Sequence, residues 1–341
     1  MPTKVLFILL LLGSSMGQTE ELILLNWEDY LADEVVQAFE RESGHSIRSV
    51  IYDRDSERDE ILSGPSGQGF DLVVMDSVAA QVFGDNHFLR KIDEKKIANL
   101  NQIDKRWRQG CGTYGVPYFW GTSGIVYRSD KLQKKPDSWL DLLEPKDSLK
   151  GHVGMHLDFT DTLIAPLKIA GASINTEKTH ELKAAYEMLL KQKPHVLTYQ
   201  YAISFVQEAA NADQLHMAFA YSGDQYSLNG DDEDGPWQYV IPKEGTSIWI
   251  DCLSVVATTQ KEKAALQFIN FLQQADMAAL NANEVGSATG NRAARKLLDK
   301  EILEDSSLYP NLNIIENSDF YQMISDKNLR QRNRIIKAVA Q

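Results

Sequence analysis

The amino-acid sequence predicts an α/β protein with two lobes, each built on a mainly parallel sheet that helices cover. Its 341 residues are enough for two domains of ordinary size. Short apolar runs alternate with amphipathic stretches in both halves of the chain, which is typical of strands joined by crossover helices. Ligands of such sheets bind beyond the carboxyl ends of the strands, so the residues that follow each strand are the first candidates for a site.

The first half opens with a strand, a helix, a strand, a helix and a strand. The first helix carries apolar residues at Leu31, Val35 and Phe39, which lie on one face, and it ends near Gly44. We predict strands at Glu21–Trp27, Ser46–Tyr52 and Phe70–Met75, and helices at Leu31–Glu42 and Ser56–Leu62.

The second half repeats the alternation after residues 110–124, a glycine-rich segment that we predict to be a loop. The last helix of this half is amphipathic and is expected to cover a sheet. We predict strands at Ile125–Tyr127, Gly151–Met155, Leu215–Tyr221, Gln238–Ile241 and Ser247–Ala257, and helices at Trp139–Leu143, Phe159–Ala170, Thr179–Lys191 and Lys261–Gln273.

The N-terminus has the pattern of a cleaved secretion signal. Lys4 precedes an unbroken apolar run, Val5–Leu12, and Ser15 and Gly17 are the small residues that a signal peptidase requires. We predict that residues 1–17 are removed and that the rest of the chain is exported in soluble form. An uncleaved membrane anchor is the alternative, although this run is too short to cross a bilayer.

Charge and cysteine content narrow the class of partner. The formal net charge is −13, which argues against broad binding to nucleic acids or anionic membranes and suits a cationic partner. Cys111 and Cys252 are the only cysteines, and they lack the spacing of a metal site. Two unpaired thiols are the expectation, with a disulfide in an oxidising compartment as the alternative.

Two motifs have the spacing of known sites but the wrong context. Residues 110–115 match the dinucleotide fingerprint G-x-G-x-x-G, yet no buried strand precedes them and Pro117 interrupts the helix that should follow. His152 lies on a predicted strand and His156 directly follows it, and extended backbone separates residues at this spacing by roughly 13 Å, too far to share a metal. Because the common catalytic signatures are absent, we expect no enzyme, no cofactor and no bound metal.

Aromatic and acidic residues occur together at the predicted strand ends. Aromatic rings attract alkylammonium groups through their quadrupole, and carboxylates add charge-assisted hydrogen bonds. The combination predicts a site for a flexible molecule that carries two or three amines. The residues concerned are Trp27, Glu28 and Tyr30, then Asp158 and Asp161, then Tyr221 and Asp224, and finally Trp249 and Asp251.

Each of these groups also has a purely structural interpretation. Both tryptophans fit a hydrophobic core. Asp158 fits the N-cap of the helix predicted after it, and the helix dipole favours Asp161 in the first turn. Tyr221 and Asp224 fit a turn around the glycine between them. The acidic run at residues 231–234 is typical of a solvated loop, and we assign it no site.

Several short motifs follow one another in a characteristic order after residue 17. They are NWEDY at 26–30, FDLVV at 70–74, VPYFWG at 116–121, IPKEG at 241–245, WID at 249–251, AARKLL at 293–298 and LYP at 308–310. In this order they resemble the bacterial periplasmic spermidine/putrescine-binding protein family over nearly all of the remaining chain. The family implies two α/β lobes that close on a polyamine. By this analogy lobe 1 holds residues 18–122 and 252–295, and lobe 2 holds residues 123–251 and 296–341.

The resemblance implies that four aromatic residues line the cleft. Trp27 and Tyr30 match aromatic residues of the family, and Trp249 matches one near the crossing between the lobes. Tyr221 replaces a tryptophan that lines the polyamine chain, which keeps a ring at this position.

The resemblance also implies acidic ligands for the amines. Asp161 and Asp251 match such positions, Asp158 lies near another, and Asp224 matches a position of the putrescine-preferring branch. Glu28 adds a carboxylate where the family has Ser or Thr. Two further departures are the sequence MDSV at 75–78, where the family has Pro-Ser and an aromatic residue, and Ser287 in place of a tyrosine.

The function implied by this resemblance is that of a monomeric periplasmic receptor that presents a polyamine to an ABC-type permease. The alternative is a norspermidine sensor that docks on the periplasmic domain of a membrane enzyme of cyclic-di-GMP signalling and so controls biofilm formation. In both, the ligand shifts the equilibrium from open to closed lobes. A distant alternative is an exported hydrolase with Asp158 and Asp161 as paired carboxylates.

Overall fold

A computed structural model describes residues 19–52, 55–230, 232 and 235–341. The predicted signal at residues 1–17 lies outside this range, as does most of the acidic run at 231–234. Among the helices that are described, none is both long enough and apolar enough to span a bilayer.

The described strands form one mixed sheet. They are β1 (Glu21–Asn26), β2 (Ser46–Ile51), β3 (Leu72–Asp76), β4 (Gly115–Arg128), β5 (Val153–Gly154), β6 (Val196–Thr198), β7 (Met217–Tyr221), β8 (Trp237–Val240), β9 (Ser247–Val255) and β10 (Asp319–Phe320). Their order is β2-β1-β3-β9-β4-β7-β5-β6, with β10 beside β9 and β8 beside β4. We call β1–β3 the first strand group and β5–β8 the second; β4 and β9 lie between them.

The prediction of a mainly parallel sheet is correct toward its two ends, and in the centre only the two-residue β10 runs parallel, beside β9. β1 runs parallel to β2 and β3, and β5 runs parallel to β6 and β7. In the centre, β9 is antiparallel to β3 and β4, and β4 is antiparallel to β7 and β8. Alternating strands and helices predict direction only between neighbours in the chain. The two long central strands instead pair with strands that are distant in sequence.

Helices flank the strands on both faces. They are α1 (Asp33–Ser43), α2 (Asp55–Ser63), α3 (Ser77–Asp85), α4 (Lys105–Gly110), α5 (Trp139–Leu143), α6 (Ile164–Ile169), α7 (Thr179–Gln192), α8 (Ala202–Glu208), α9 (Asp224–Asn229), α10 (Glu262–Leu272), α11 (Ala275–Val285), α12 (Lys300–Glu304), α13 (Leu312–Glu316) and α14 (Asp326–Ala340). α5 has its predicted bounds because Ser138 and Asp141 form a capping box. α1 ends where Gly44 takes a φ of 75°.

The core divides into clusters on the two faces of each strand group. Alternate residues of a strand point to opposite faces. Leu24 and Val74 accordingly pack with α1, α10 and α11, whereas Leu25 and Val73 pack on the other side. The second group has its own two clusters, one of them built with α5, α6 and α7. The exact division of the chain into lobes stays a prediction.

The segment predicted as a loop, residues 110–124, is mostly strand. Residues 115–127 of β4 are buried. The strand accommodates Pro117 because its pairing with β9 shifts register just after that residue. A side chain at Gly121 would clash with the ring of Trp249, since its Cβ would lie 2.2 Å from Cζ2. Here glycine allows close packing rather than marking a loop.

The two cysteines form a disulfide, contrary to the expectation of unpaired thiols. Cys111 follows α4 and Cys252 lies in β9, with their Cα atoms 5.7 Å apart although 141 positions separate them in sequence. Both are buried. The pairing depends on the packing of α4 against the sheet, which no local pattern reveals.

Candidate functional site

Asp251 is the centre of the first part of the candidate site. It lies in β9 directly opposite Asp76 of β3, and its Oδ2 accepts a hydrogen bond of 2.9 Å from the hydroxyl of Tyr30. Burial raises the pKa of Asp251 to about 7; the bond from Tyr30 opposes this rise, and the charge of Asp76 adds to it. At neutral pH this carboxylate is therefore poised between its two protonation states.

The turn after β1 supplies the aromatic residues of this part. Tyr30 packs edge-on against Phe119 of β4, with ring centroids 5.0 Å apart. Trp27 is half-buried and packs on the ring of Tyr52 at 4.2 Å. Glu28 lies between them on the turn and is exposed. The structure thus brings Tyr30 into direct contact with Asp251, whereas Glu28 points its exposed side chain toward solvent.

Trp249 lies two residues before Asp251 and so on the same face of β9. Its ring packs over Gly121 of β4. The residue is half-buried, and its buried Nε1–H has no hydrogen-bond partner among the described residues. Buried indole donors usually find a partner. Trp249 is therefore not an ordinary, fully packed core residue.

Asp161 is the centre of the second part of the site. The hydroxyls of Tyr221 and Tyr321 donate hydrogen bonds to its two carboxylate oxygens. Burial raises the pKa of Asp161 to about 7, and the negative charge of Asp158 adds to this rise, while the two tyrosine hydrogen bonds oppose it. Tyr321 follows β10 and is not among the predicted site residues, because nothing in its sequence neighbourhood predicts this contact.

Asp158 has a structural role that is close to the predicted N-cap, although Thr160 is the N-cap residue of the turn that follows. Its Oδ1 accepts hydrogen bonds from the backbone amides of Thr160, at 2.6 Å, and Asp161, at 3.1 Å. The helix predicted from Phe159 begins later, as a 3-10 turn at Asp161–Leu163 that continues into α6. Asp158 thus caps a turn and holds Asp161 in position.

Asp224 and Tyr221 form the predicted turn. The Tyr221 amide donates to Oδ2 of Asp224 at 2.8 Å, and Gly223 between them has a φ of 104°. Burial raises the pKa of Asp224 to about 6, against the effect of a hydrogen bond from Tyr201, another residue that the sequence analysis missed. The ring centroids of Tyr201 and Tyr221 lie 6.0 Å apart.

One carboxylate influences both parts of the site. Asp55, at the start of α2, adds to the rise in pKa of both Asp251 and Asp161, although burial is the main cause in each case. The carboxylates of the two parts thus both respond to the charge of Asp55, and each has tyrosine hydroxyls bonded to it. Such a site favours a cation with several separated charges.

Comparison with known proteins assigns the family. Residues 34–308 match the bacterial extracellular solute-binding protein family. The chain belongs to this family. This solute-binding protein is therefore related to extracellular proteins of bacteria, and the resemblance inferred from its motifs is confirmed.

Individual relatives cover nearly the whole solute-binding protein. It is 35% identical over 319 residues to the norspermidine sensor of Vibrio cholerae, covering 94% of this chain and 88% of that protein. It is 29% identical over 328 residues to the spermidine/putrescine-binding periplasmic protein of Salmonella typhimurium, covering 93% and 92%.

A solved structure supports the fold. The PotD substrate-binding protein of a spermidine/putrescine ABC transporter from Streptococcus pneumoniae superposes with a TM-score of 0.85. The match covers 94% of this chain and 99% of that one at 23% sequence identity. At this identity the similarity establishes the fold alone, and it confirms the predicted α/β class.

Proposed function

We propose that this protein is a periplasmic receptor that closes on a polyamine. The observation that carries the proposal is a set of three carboxylates: Asp161 and Asp224 are buried, and Asp251 is half-buried. Tyrosine hydroxyls donate hydrogen bonds to Asp161 and Asp251, and the backbone amide of Tyr221 donates one to Asp224. None of the three forms an ion pair with a lysine or arginine in the described ranges. Burying a carboxylate without a cation is costly, and an ammonium group placed beside it offsets that cost.

The relatives support the choice of ligand class, because their names specify norspermidine, spermidine and putrescine. In this proposal Trp27, Tyr30, Tyr221 and Trp249 lie beside the methylene spacers, and Asp161, Asp224 and Asp251 bind the amines. Asp158 positions Asp161, and Glu28 lies at the exposed edge of the site. The signal at residues 1–17 directs the chain to the periplasm. The protein acts as a monomer, performs no catalysis and delivers its ligand to an ABC-type permease.

A sensor is the second candidate. The observation that favours it is the 35% sequence identity to a norspermidine sensor, compared with 29% to a spermidine/putrescine-binding periplasmic protein. In that case the closed form docks on the periplasmic domain of a membrane signalling enzyme. Uptake of labelled polyamine by cells that carry or lack the gene separates the two functions, since only a transport receptor changes uptake directly.

The binding proposal predicts thermal stabilisation by polyamines. Spermidine, norspermidine or putrescine at 1 mM should raise the Tm of the mature protein by about 5 °C or more, because a ligand selective for the native state stabilises it. Differential scanning calorimetry measures the shift. 1,4-Butanediol, which has the chain length of putrescine without its amines, is the control. The absence of a shift with every polyamine would contradict the proposal.

The raised pKa values predict that binding weakens in acid. An ammonium ligand favours the ionised carboxylates, so Asp161 and Asp251, with pKa values of about 7, and Asp224, at about 6, must lose protons when it binds. Affinity for spermidine should fall about tenfold or more from pH 8 to pH 5.5. Calorimetry at pH 6.5 in buffers of different ionisation enthalpy should detect proton release; an affinity independent of pH would contradict this account.

The stability of the free protein should change in the opposite sense. These folded-state pKa values lie above the unfolded value of about 3.9. Their contribution to stability is therefore complete below about pH 4 and is lost as the pH rises through 6 to 7. The rise in Tm caused by the ligand should consequently be larger at pH 8 than at pH 5.5.

A further inference from the structure

Arg58 of α2 is a buried cation next to the candidate site. Its side chain is only 2% exposed and is surrounded by carboxylates. Its Nη1 lies 2.6 Å from Oδ1 of Asp55 and 3.6 Å from Oδ2 of Asp76, and its Nη2 lies 2.7 Å from Oδ1 of Asp59. One guanidinium thus serves three carboxylates, and the group as a whole keeps a negative charge.

This group borders the site on the side of β3. The guanidinium carbon of Arg58 lies 5.8 Å from the ring centroid of Tyr52, the ring on which Trp27 packs. Asp76 lies opposite Asp251 in the sheet. The ring of Tyr52 therefore lies between Arg58 and Trp27. On the other side, Arg58 faces Asp76, which is the neighbour of Asp251 in the sheet.

The charges of this group affect the pKa of Asp251 in opposite directions. Beyond the main effect of burial, Asp76 and Asp55 raise the pKa of Asp251, while Arg58 lowers it. Asp55 also raises the pKa of Asp161 in the second part of the site. Among the described residues, Arg58 is the cation that pairs with Asp55 and Asp76. Without it, these carboxylates would present a negative end, with no other described cation beside them, to any ligand bound between Trp27 and Asp251.

We propose that Arg58 takes the place of one ammonium group of the ligand and thereby limits the number of amines that the site accommodates. The guanidinium satisfies Asp55 and Asp76 from within the protein, so a ligand gains little from a further amine at this end. Arg58 is then a residue that determines specificity between diamines and triamines. This inference rests on the proposed polyamine function.

The test compares affinities for putrescine and spermidine, which differ by one amine, using titration calorimetry on the mature protein. In the variant Arg58→Gln, Asp55 and Asp76 are left without their cation and become available to the additional amine. The preference for spermidine over putrescine should increase by about tenfold or more relative to the wild type. Arg48→Gln is the matched control, because Arg48 is an exposed arginine that faces only Glu21 in β1, and its preference should stay within twofold of the wild type.

A second variant covers the case in which the uncompensated carboxylates prevent Arg58→Gln from folding. Asp76→Asn should fold, because Oδ1 of Asp76 caps α3 by accepting from the amides of Val78 and Ala79, and asparagine caps equally well. The substitution removes one of the negative charges that neutralise Arg58, so the guanidinium repels an additional amine more strongly. The preference for spermidine over putrescine should therefore decrease at least about threefold. Circular dichroism confirms folding in each case.

The outcomes separate this inference from the function on which it rests. If the wild type binds neither amine, the proposed function is wrong. If the wild type binds both, an unchanged preference in the folded Arg58→Gln variant overturns the role of Arg58. Should only Asp76→Asn fold, an unchanged or increased preference for spermidine in that variant overturns it.

Discussion

Replacing Asp251 by asparagine should weaken polyamine binding at least about tenfold. Asparagine has nearly the same shape and can still accept the hydrogen bond from Tyr30, so the substitution removes the charge and little else. A hydrogen bond to a charged group contributes about 1.5–3 kcal/mol, which corresponds to tenfold or more in affinity. Titration calorimetry with spermidine at pH 8, where the wild-type carboxylate is ionised, measures the loss.

The stability of the free variant distinguishes a ligand contact from a structural role. Because burial disfavours the ionised form of Asp251, the uncharged asparagine should leave the Tm at pH 8 unchanged or raise it. Asp276→Asn, at an exposed position in α11, is the control and should bind spermidine like the wild type. An Asp251→Asn variant with wild-type affinity would exclude Asp251 from the site.

Removing the disulfide should lower the free energy of unfolding by about 2–5 kcal/mol. The bond between Cys111 and Cys252 closes a loop of 141 positions, and so long a loop restricts the unfolded chain strongly. The double variant Cys111→Ala/Cys252→Ala should unfold at a correspondingly lower urea concentration. Alanine is preferable to serine here, because a buried hydroxyl without a partner would add a cost of its own.

A comparison of oxidised and reduced wild type controls for the cavity that the double variant leaves. Both forms keep the two sulfur atoms, so a difference in their urea midpoints reports the covalent bond alone. Thiol titration of the protein denatured without a reducing agent should detect no free cysteine. Two free thiols per chain, or equal midpoints for the oxidised and reduced forms, would contradict the pairing.

Elements with a strong local pattern could be predicted from the sequence. α1 could be predicted because its apolar spacing and the glycine that ends it lie within one short window, and α5 has its predicted bounds because its capping box is equally local. Of β4 only the last part, Ile125–Tyr127, was predicted, because Pro117 and Gly121 give the earlier part the composition of a loop. Their role is clear only when β9 and Trp249 lie alongside. Local composition is ambiguous wherever glycine serves the packing of another residue.

Some residues of the candidate site could also be predicted from the sequence. Residue type together with position after a strand was enough to single out Tyr30, and Asp251 was singled out by the tryptophan two residues before it. Tyr201 and Tyr321 were missed, because each becomes relevant only by reaching an aspartate from a distant part of the chain. The prediction for Asp158 was correct about its bonds, which go to amides two and three residues ahead, but wrong about the helix, because Thr160 is the N-cap of the turn that begins at Asp161.

The chain by itself determined its α/β class, its family, and the aromatic and acidic residues from which a site for cations can be built. Only the tertiary structure decided that Tyr30 meets Asp251, that Tyr321 meets Asp161, and that the cysteines are bonded. The physical reason is range. Helix spacing and capping are interactions between near neighbours, whereas these contacts join residues more than a hundred positions apart and exist only once the whole sheet has assembled.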